Sequence, residues 1–102
     1  MKEAVITRAA DELSVTLNGE IDSGNADAFF EAVNEAFASK PENVHFYCEN
    51  LTFIDSTTLG VFVKILKRVK TEGKKMSLSG LQPKIKKLFT ICKLDLIMEI
   101  DE

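Results

Sequence analysis

The sequence predicts an α/β protein with a mixed sheet of four or five strands and three or more helices, in one domain over residues 1–102. Short segments in which apolar and polar residues alternate, as in strands, are followed by longer segments in which apolar residues recur every three or four positions, as in helices. The resulting order, β-β-α-β-α-β-α-β, is typical of right-handed crossovers between parallel strands. The first two strands are too close in the chain for a crossover, so they form a hairpin and make the sheet mixed.

The N-terminal hairpin leads into a polar turn and a first helix. Residues 4–7 and 13–17 are predicted to form the two short strands. In the turn that follows, Asp22, Ser23 and Asn25 are each able to cap a helix. The helix itself is predicted from apolar residues spaced by three and four, namely Ala26, Phe29, Phe30, Val33, Ala36 and Phe37.

The most informative stretch, residues 53–60, joins a central strand to a second helix. The preceding residues 44–51 are fairly apolar on both faces, as expected of a strand in the middle of a sheet. Asp55 and Ser56 both favour the helix N-cap, where a side-chain oxygen accepts from an unpaired N–H. The junction therefore places the Ser56 hydroxyl at the positive end of a helix dipole, which stabilises an anion such as an attached phosphate. A simple capping role for Ser56 is the alternative.

The second helix carries a core-facing stripe and two further apolar residues beside it. Val61 and Ile65 lie at the edge of the stripe. They are either buried by a wide helix–sheet contact or exposed as an apolar border that a partner covers. The stripe itself consists of Leu59, Phe62, Val63, Leu66 and Val69.

The last third of the chain repeats the alternation. Residues 76–79 predict a fourth strand, Pro83 suits the first turn of a third helix, and residues 97–100 predict a short last strand. Cys92 falls on the predicted core face of the third helix. Both it and Cys48 are expected to be buried thiols.

Composition and charge narrow the class of protein. No apolar run approaches the ~20 residues of a membrane span, and the N-terminus lacks the apolar core of a signal peptide. A cytoplasmic location without membrane attachment is therefore expected. Residues 1–50 carry three basic and ten acidic side chains (net −7), and residues 51–102 carry ten and six (net +4). With an overall charge of −3, the lysines of the second half favour a solvated face or a protein contact over nucleic acid.

Motifs for common catalytic chemistry are absent from the sequence. There is no glycine-rich dinucleotide or P-loop motif, no nucleophile elbow and no cysteine–histidine metal cluster. His45 is the sole histidine and falls near the far end of the central strand, so Ser56 lacks a base for hydrolysis. A non-enzymatic protein without cofactor or metal is expected. Glu20, Asp22 and Asp55 stay open as solvated acids, as a Mg²⁺ site or as a group that repels phosphate.

Three segments of the chain resemble motifs of one known family. Residues 17–22 (LNGEID) are similar to an l-x-G-e-l-D segment, residues 53–60 (FIDSTTLG) to an fiDSsGlg loop, and residues 82–89 (QPKIKKLF) to a p-x-v-x-x-l-f helix. These segments are typical of STAS domains, the family of bacterial anti-sigma factor antagonists. The resemblance covers nearly the whole chain in the same order and implies a single STAS-like domain.

The function that this resemblance implies is a phosphorylation switch. In such antagonists the serine after the loop aspartate is phosphorylated by the partner anti-sigma factor, a GHKL-type serine kinase. A PP2C-type phosphatase reverses the modification. The unmodified antagonist holds the anti-sigma factor and so frees a sigma factor. On this chain the implied phospho-acceptor is Ser56, with Thr57 and Thr58 as alternatives because Thr58 stands where many relatives have glycine.

The resemblance also implies a docking surface around Ser56. The implied partner-binding residues are Asp22, Ser23, Asn25, Asp55, Thr57, Thr58, Gly60, Val61 and Ile65.

Two other functions stay open. One is a STAS scaffold subunit of another assembly, such as a stressosome-like particle or a lipid-transport complex. The other is a nucleotide or small-molecule sensor that uses residues 19–25 and 55–60.

Overall fold

The computed structural model describes residues 1–101 of the chain. Within that range the chain forms a five-stranded sheet and three α-helices, which confirms the predicted fold class. None of these helices is both long and apolar enough to cross a membrane. In chain order the elements are β1 (Ala4–Ala9), β2 (Glu12–Ile21), α1 (Ala26–Ser39), β3 (Asn43–Ile54), α2 (Ser56–Thr71), β4 (Met76–Ser79), α3 (Pro83–Ile91), a 3₁₀ turn (Leu94–Leu96) and β5 (Glu99–Ile100).

The sheet is mixed, as the hairpin predicts. Its strands lie in the order β1-β2-β3-β4-β5, with β1 antiparallel to β2 and the other neighbours parallel. Helices join the parallel neighbours, because a parallel connection must carry the chain back along the sheet. The last strand is shorter than the predicted residues 97–100. The chain is still turning at Ile97, with φ −120° and ψ −12°, so only Glu99 and Ile100 are extended.

Two strands, β2 and β3, extend beyond their neighbours. The pairing of β3 with β4 ends at Tyr47 and Ser79, whereas its pairing with β2 continues to Ile21 and Ile54. Two register shifts interrupt the β2–β3 pairing in this extension, and such irregularities bend and twist a strand pair. The carboxyl ends of β2 and β3 therefore project together and carry the loops that follow them.

The aromatic ring of Phe62, in α2, lies at the centre of the core. Its centroid is 5.4 Å from that of Phe29, 5.2 Å from that of Phe46 and 5.4 Å from that of Phe89, all in edge-on contact. Aromatic rings prefer this arrangement over a face-to-face stack. The partners belong to α1, β3 and α3, so one side chain ties all three helices to the same face of the sheet.

The two cysteines differ in exposure, contrary to the expectation that both are buried. Cys48 lies inside β3, and burial raises the pKa of its thiol to about 12, so it stays protonated and unreactive. Cys92 is exposed. The reason is that α3 ends at Ile91, so Cys92 no longer continues the buried stripe of Ile85 and Phe89.

Truncation of the central aromatic ring tests this description of the core. We expect Phe62→Ala to lower the free energy of unfolding by about 3–5 kcal/mol, since it removes a fully buried ring and leaves a cavity between four elements. Urea denaturation followed by circular dichroism measures the change. The exposed Phe53 provides the matched control. Phe53→Ala should change stability by less than about 0.5 kcal/mol, and equal losses for the two variants would contradict the model of the core.

Candidate functional site

The candidate site forms where the ends of β2 and β3 meet the start of α2. Asp55 is the N-cap of α2, with extended backbone angles (φ −124°, ψ −174°). Its Oδ1 accepts a hydrogen bond of 3.0 Å from the Thr58 backbone N–H, and the Thr58 side chain reaches back to the Asp55 N–H. This reciprocal capping box fixes the direction in which α2 leaves the strand. The sequence predicted a cap at this junction, and Asp55 rather than Ser56 provides it.

The second carboxylate oxygen of Asp55 joins the two loops of the site. Asp55 Oδ2 accepts a hydrogen bond of 2.8 Å from the backbone N–H of Ser23, in the loop between β2 and α1. Hydrogen bonds to a carboxylate favour its ionised form. The backbone N–H of Thr58 is the main reason that the pKa of Asp55 is lowered, and those of Ser23 and Thr57 add to the effect, while desolvation opposes it. An ionised carboxylate therefore holds the site together at neutral pH.

The loop between β2 and α1 is itself held by polar side chains. Asn25 Oδ1 accepts from the Asp22 N–H at 2.9 Å, and Asn25 Nδ2 donates to the Glu20 carbonyl at 3.0 Å. Asp22 Oδ1 accepts from the Gly24 N–H at 2.9 Å. Asp22 and Asn25 thus shape the loop that presents the Ser23 N–H to Asp55. The hydrogen bond from Ser23 to Asp55 brings this loop together with the start of α2.

Thr58 is a buried residue that links α2 to the end of β2, and it cannot serve as a phospho-acceptor in this fold. It is completely buried, and its hydroxyl donates to the Ile21 carbonyl at the end of β2. The same oxygen lies 3.0 Å from Asp55 Oδ1. The alternative that placed the phosphoryl group on Thr58 is therefore wrong, because a modifying enzyme has no access to this hydroxyl. The same burial removes Thr58 from the surface that a partner touches.

Ser56, Thr57 and Gly60 form the exposed part of the helix start. Within residues 1–101, the Ser56 hydroxyl takes part in no side-chain hydrogen bond. The amides of Thr57 and Thr58 already point to the Asp55 carboxylate, so the helix end offers fewer free donors to a phosphate than the sequence suggested. The Ser56 hydroxyl is accessible and uncommitted, which is the arrangement that modification requires.

The predicted apolar border on α2 is not exposed. Val61 is 4% exposed and Ile65 is 2% exposed, so neither can contact a partner without local unfolding. The helix buries a wide band against the sheet and α1, as helices with more than one apolar stripe do. Val61 and Ile65 are therefore core residues, and their assignment to the docking surface is wrong.

An exposed phenylalanine beside the site was missed by sequence reasoning. Phe53, in β3, is 48% exposed and lies three residues before Ser56. No local pattern in the sequence reveals it, because the regular alternation of β3 is broken at this point. Leu51 and Ile54 are both buried, and the residues between them, Thr52 and Phe53, are exposed. Regular alternation from Leu51 would bury Phe53 as well, but β3 has one extra residue between its pairs with Gly19 and Glu20, and this register shift turns Phe53 outward.

Three further features bear on the chemistry that the sequence left open. Within residues 1–101, no group of three carboxylate, histidine or cysteine side chains lies close enough together to hold a metal ion, so a Mg²⁺ site at Glu20, Asp22 and Asp55 lacks support. His45 lies at the far end of β3, where its ring nitrogens contact the hydroxyls of Ser77 at 2.6 Å and Ser79 at 2.7 Å. The third feature is a groove of about 650 Å³ beside the β2–α1 loop, lined by Lys2, Glu3, Asn18, Gly19, Glu20, Asp22 and Asn25.

The fold and site define a small α/β domain that presents an exposed hydroxyl at the start of a capped helix. The sequence model of the STAS domain family matches residues 3–102, so the chain belongs to that family. It is similar to the anti-sigma-B factor antagonist of Staphylococcus aureus, strain NCTC 8325 / PS 47. The two are 28% identical over 88 residues, which cover 86% of this chain and 82% of the relative.

Solved structures show the same fold. A candidate anti-sigma factor antagonist from Thermotoga maritima superimposes with a TM-score of 0.90 at 27% identity, over 97% of this chain and 86% of that one. The anti-sigma factor antagonist SpoIIAA in its unphosphorylated form gives a TM-score of 0.77 at 15% identity, over 97% and 87%. The Bacillus cell fate determinant SpoIIAA in the phosphorylated form gives 0.76 at 17% identity, over 97% and 91%. At these lower identities the likeness to SpoIIAA concerns the fold alone.

The buried hydroxyl of Thr58 gives the first test of the site. Thr58→Val keeps the shape of the side chain but leaves the Ile21 carbonyl without its donor, so we expect a loss of about 1–3 kcal/mol in the free energy of unfolding. Thr58→Ser, which keeps the hydroxyl, should lose less. The exposed neighbour supplies the control, because Thr57→Val should stay within about 0.5 kcal/mol of the wild type in the same urea titration. Similar losses at both positions would argue against a stabilising role for the hydrogen bond from Thr58 to Ile21.

The pH dependence of stability gives the second test. The folded-state pKa of Asp55 is lowered, so its stabilising effect is fully present above its unfolded-state pKa and is lost as the pH falls through the folded value. We expect the wild type to melt at a higher temperature than Asp55→Asn, by a constant margin from pH 7 to about pH 5. The margin should shrink below about pH 4. A margin that is unchanged at pH 3 would show that the Asp55 charge does not stabilise the site.

Proposed function

We propose that this chain is an anti-sigma factor antagonist whose binding is switched by phosphorylation of Ser56. The observation that carries the proposal is the Ser56 hydroxyl, exposed and without a side-chain partner on a helix start that Asp55 holds in place. A reactive group on a rigid support needs no folding step before a partner binds. The names of the similar proteins, and the occurrence of this fold in a protein studied in both phosphorylated and unphosphorylated forms, support the same assignment.

The proposed partner is an anti-sigma factor that is also a GHKL-type serine kinase. The Ser56 oxygen attacks the γ-phosphorus of ATP, the bond from phosphorus to ADP breaks, and a base of the kinase takes up the hydroxyl proton. A PP2C-type phosphatase then hydrolyses the phosphoserine to serine and inorganic phosphate. In this scheme the chain is a substrate and a binding module, and the catalytic groups belong to its partners. The unmodified form holds the anti-sigma factor and so frees a sigma factor.

The charge added at Ser56 explains release without a change of fold. Phosphorylation adds about −1.5 to −2 charges at neutral pH. Asp55 already occupies the nearest helix amides, so the phosphoryl group remains on the solvent side, where a partner would have to desolvate it. A penalty of about 4 kcal/mol corresponds to roughly a thousandfold loss of affinity. Local electrostatics at one exposed oxygen therefore suffices for the switch.

A sensor of nucleotides or other small molecules is the second candidate function. The groove beside the β2–α1 loop favours it, since the loop residues Asp22 and Asn25 line the groove and the Ser23 N–H of the same loop binds Asp55. A ligand that raises the melting temperature of the isolated chain by several degrees would support this function. The other alternative, a STAS scaffold subunit of a larger assembly, has no feature of the site that specifically favours it.

Phosphorylation by a purified kinase tests the proposed function. The wild-type chain is incubated with ATP and a GHKL-type anti-sigma factor from the same genome, and mass spectrometry locates the modification. We expect one phosphoryl group, on Ser56. Ser56→Ala should take up none and still bind the anti-sigma factor, whereas Ser56→Asp should bind roughly a hundredfold to a thousandfold more weakly.

The neighbouring hydroxyl supplies the control for this experiment. Thr57→Ala removes the other exposed hydroxyl and leaves Ser56 and its cap in place, so it should still take up one phosphoryl group, on Ser56. Modification on Thr57 in the wild type would move the switch to that residue. Equal affinity of the wild type, Ser56→Ala and Ser56→Asp for the kinase would rule out switching at this position.

A further inference from the structure

Phe53 differs from the other phenylalanines of the chain in its surroundings. Of the seven, five are fully buried, and Phe30 is half-buried beneath the Lys64 ammonium group, 4.4 Å from the ring centroid. Phe53 is 48% exposed. Within residues 1–101 its ring makes no aromatic contact and no cation lies over it. Its position on the strand that leads directly to Ser56 is what distinguishes Phe53 from the exposed apolar residues elsewhere in the chain.

The exposure of Phe53 is imposed by the register of the sheet. Ile54 is buried and paired with Ile21, and Phe53 is paired with Glu20 one position earlier. A shift that buried Phe53 would expose Ile54 and displace the Asp55 cap. The side chain therefore cannot fold into the core while the site is intact. In this register the ring stays at the surface, where another molecule can contact it.

We propose that Phe53 is the apolar anchor by which the protein partner of Ser56 holds this domain, seated in an apolar pocket of that partner. The inference rests on the proposed function and adds a residue that contributes strongly to the affinity. The ring lies three residues from Ser56, within about 10 Å along the chain. A standard interface buries about 800 Å² on each partner, a patch roughly 30 Å across, so a protein that covers Ser56 is large enough to contact Phe53 as well.

The chemistry around Phe53 fits an anchor. Aromatic side chains are enriched among the few residues that dominate binding energy, and they sit within a polar rim that keeps water away. The neighbours of Phe53, Thr52 and Glu20, are exposed polar residues of this kind. Of the residues in β3 and α2, the two elements that flank Ser56, Phe53 is the one large apolar side chain that is exposed. The apolar contact expected on the helix is supplied by the strand.

Exposed apolar residues elsewhere provide matched controls. Ile91 is 64% exposed at the end of α3, and Leu96 is 75% exposed in the 3₁₀ turn. Since α3 runs back from the carboxyl end of β4 and the turn leads into the parallel strand β5, both residues lie towards the amino ends of the parallel strands. They are therefore at the opposite end of the domain from Ser56. Their truncation removes comparable apolar surface away from the proposed contact.

The test measures binding and phosphorylation of the full chain by the serine-kinase anti-sigma factor identified through Ser56 modification. We expect Phe53→Ala to weaken binding about 30-fold and to raise the KM for phosphorylation by a similar factor, with kcat within about twofold of wild type. Phe53→Tyr should retain most of the affinity. Ile91→Ala and Leu96→Ala should bind within about twofold of wild type. Circular dichroism melting verifies that each variant is folded.

The outcomes separate this inference from the function on which it rests. If wild type is bound and phosphorylated on Ser56 but Phe53→Ala behaves like wild type, the anchor is wrong and the switch stands. If Phe53→Ala and the control variants lose affinity equally, the effect is not specific to this position and the anchor is again wrong. If wild type is neither bound nor modified by GHKL-type kinases of the same genome, the proposed function fails and the anchor fails with it.

Discussion

The carboxylate of Asp55 is the interaction on which the site depends. One of its oxygens binds the start of α2 through the Thr58 N–H, and the other binds the Ser23 N–H, 32 residues away in the chain. The Thr58 hydroxyl adds a third connection, to the end of β2. Two loops and a helix thus share one small polar junction. Both carboxylate oxygens of Asp55 and both the amide and the hydroxyl of Thr58 are hydrogen-bonded, and these bonds hold the neighbouring Ser56 hydroxyl in a defined position.

The sheet makes this junction project from the domain. Only β2 and β3 continue to the end that carries the site, since the β4 pairing stops at Ser79. Meanwhile Phe62 and its ring contacts tie the three helices to one face, which leaves the projecting ends of the central strands accessible. The core therefore provides stability at some distance from the proposed docking surface. Substitutions at the site can alter recognition while the aromatic cluster maintains the fold.

Much of this architecture follows from local rules that can be applied to the sequence. The order of elements is predicted from apolar spacing, and the cap at Asp55 from the preference of short polar side chains for helix starts. Thr58, Val61 and Phe53 could not be assigned in this way. Whether Thr58 is buried depends on the Ile21 carbonyl, and the burial of Val61 depends on how wide a band α2 buries. The exposure of Phe53 follows from a strand register that tertiary pairing sets. In each case a distant segment decides, and no local pattern encodes it.

The hydrogen bond between Ser23 and Asp55 has a consequence for how another protein can recognise Ser56. The groups that orient Ser56 come from segments far apart in the chain, so they are assembled only when the domain is folded. An excised peptide spanning residues 53–60 would lack the Ser23 amide and the Ile21 carbonyl, and a segment this short does not hold a helix in water. An enzyme that phosphorylated Ser56, as proposed, would therefore recognise the folded surface rather than a linear motif. Short synthetic peptides are therefore poor substitutes for the domain as substrates.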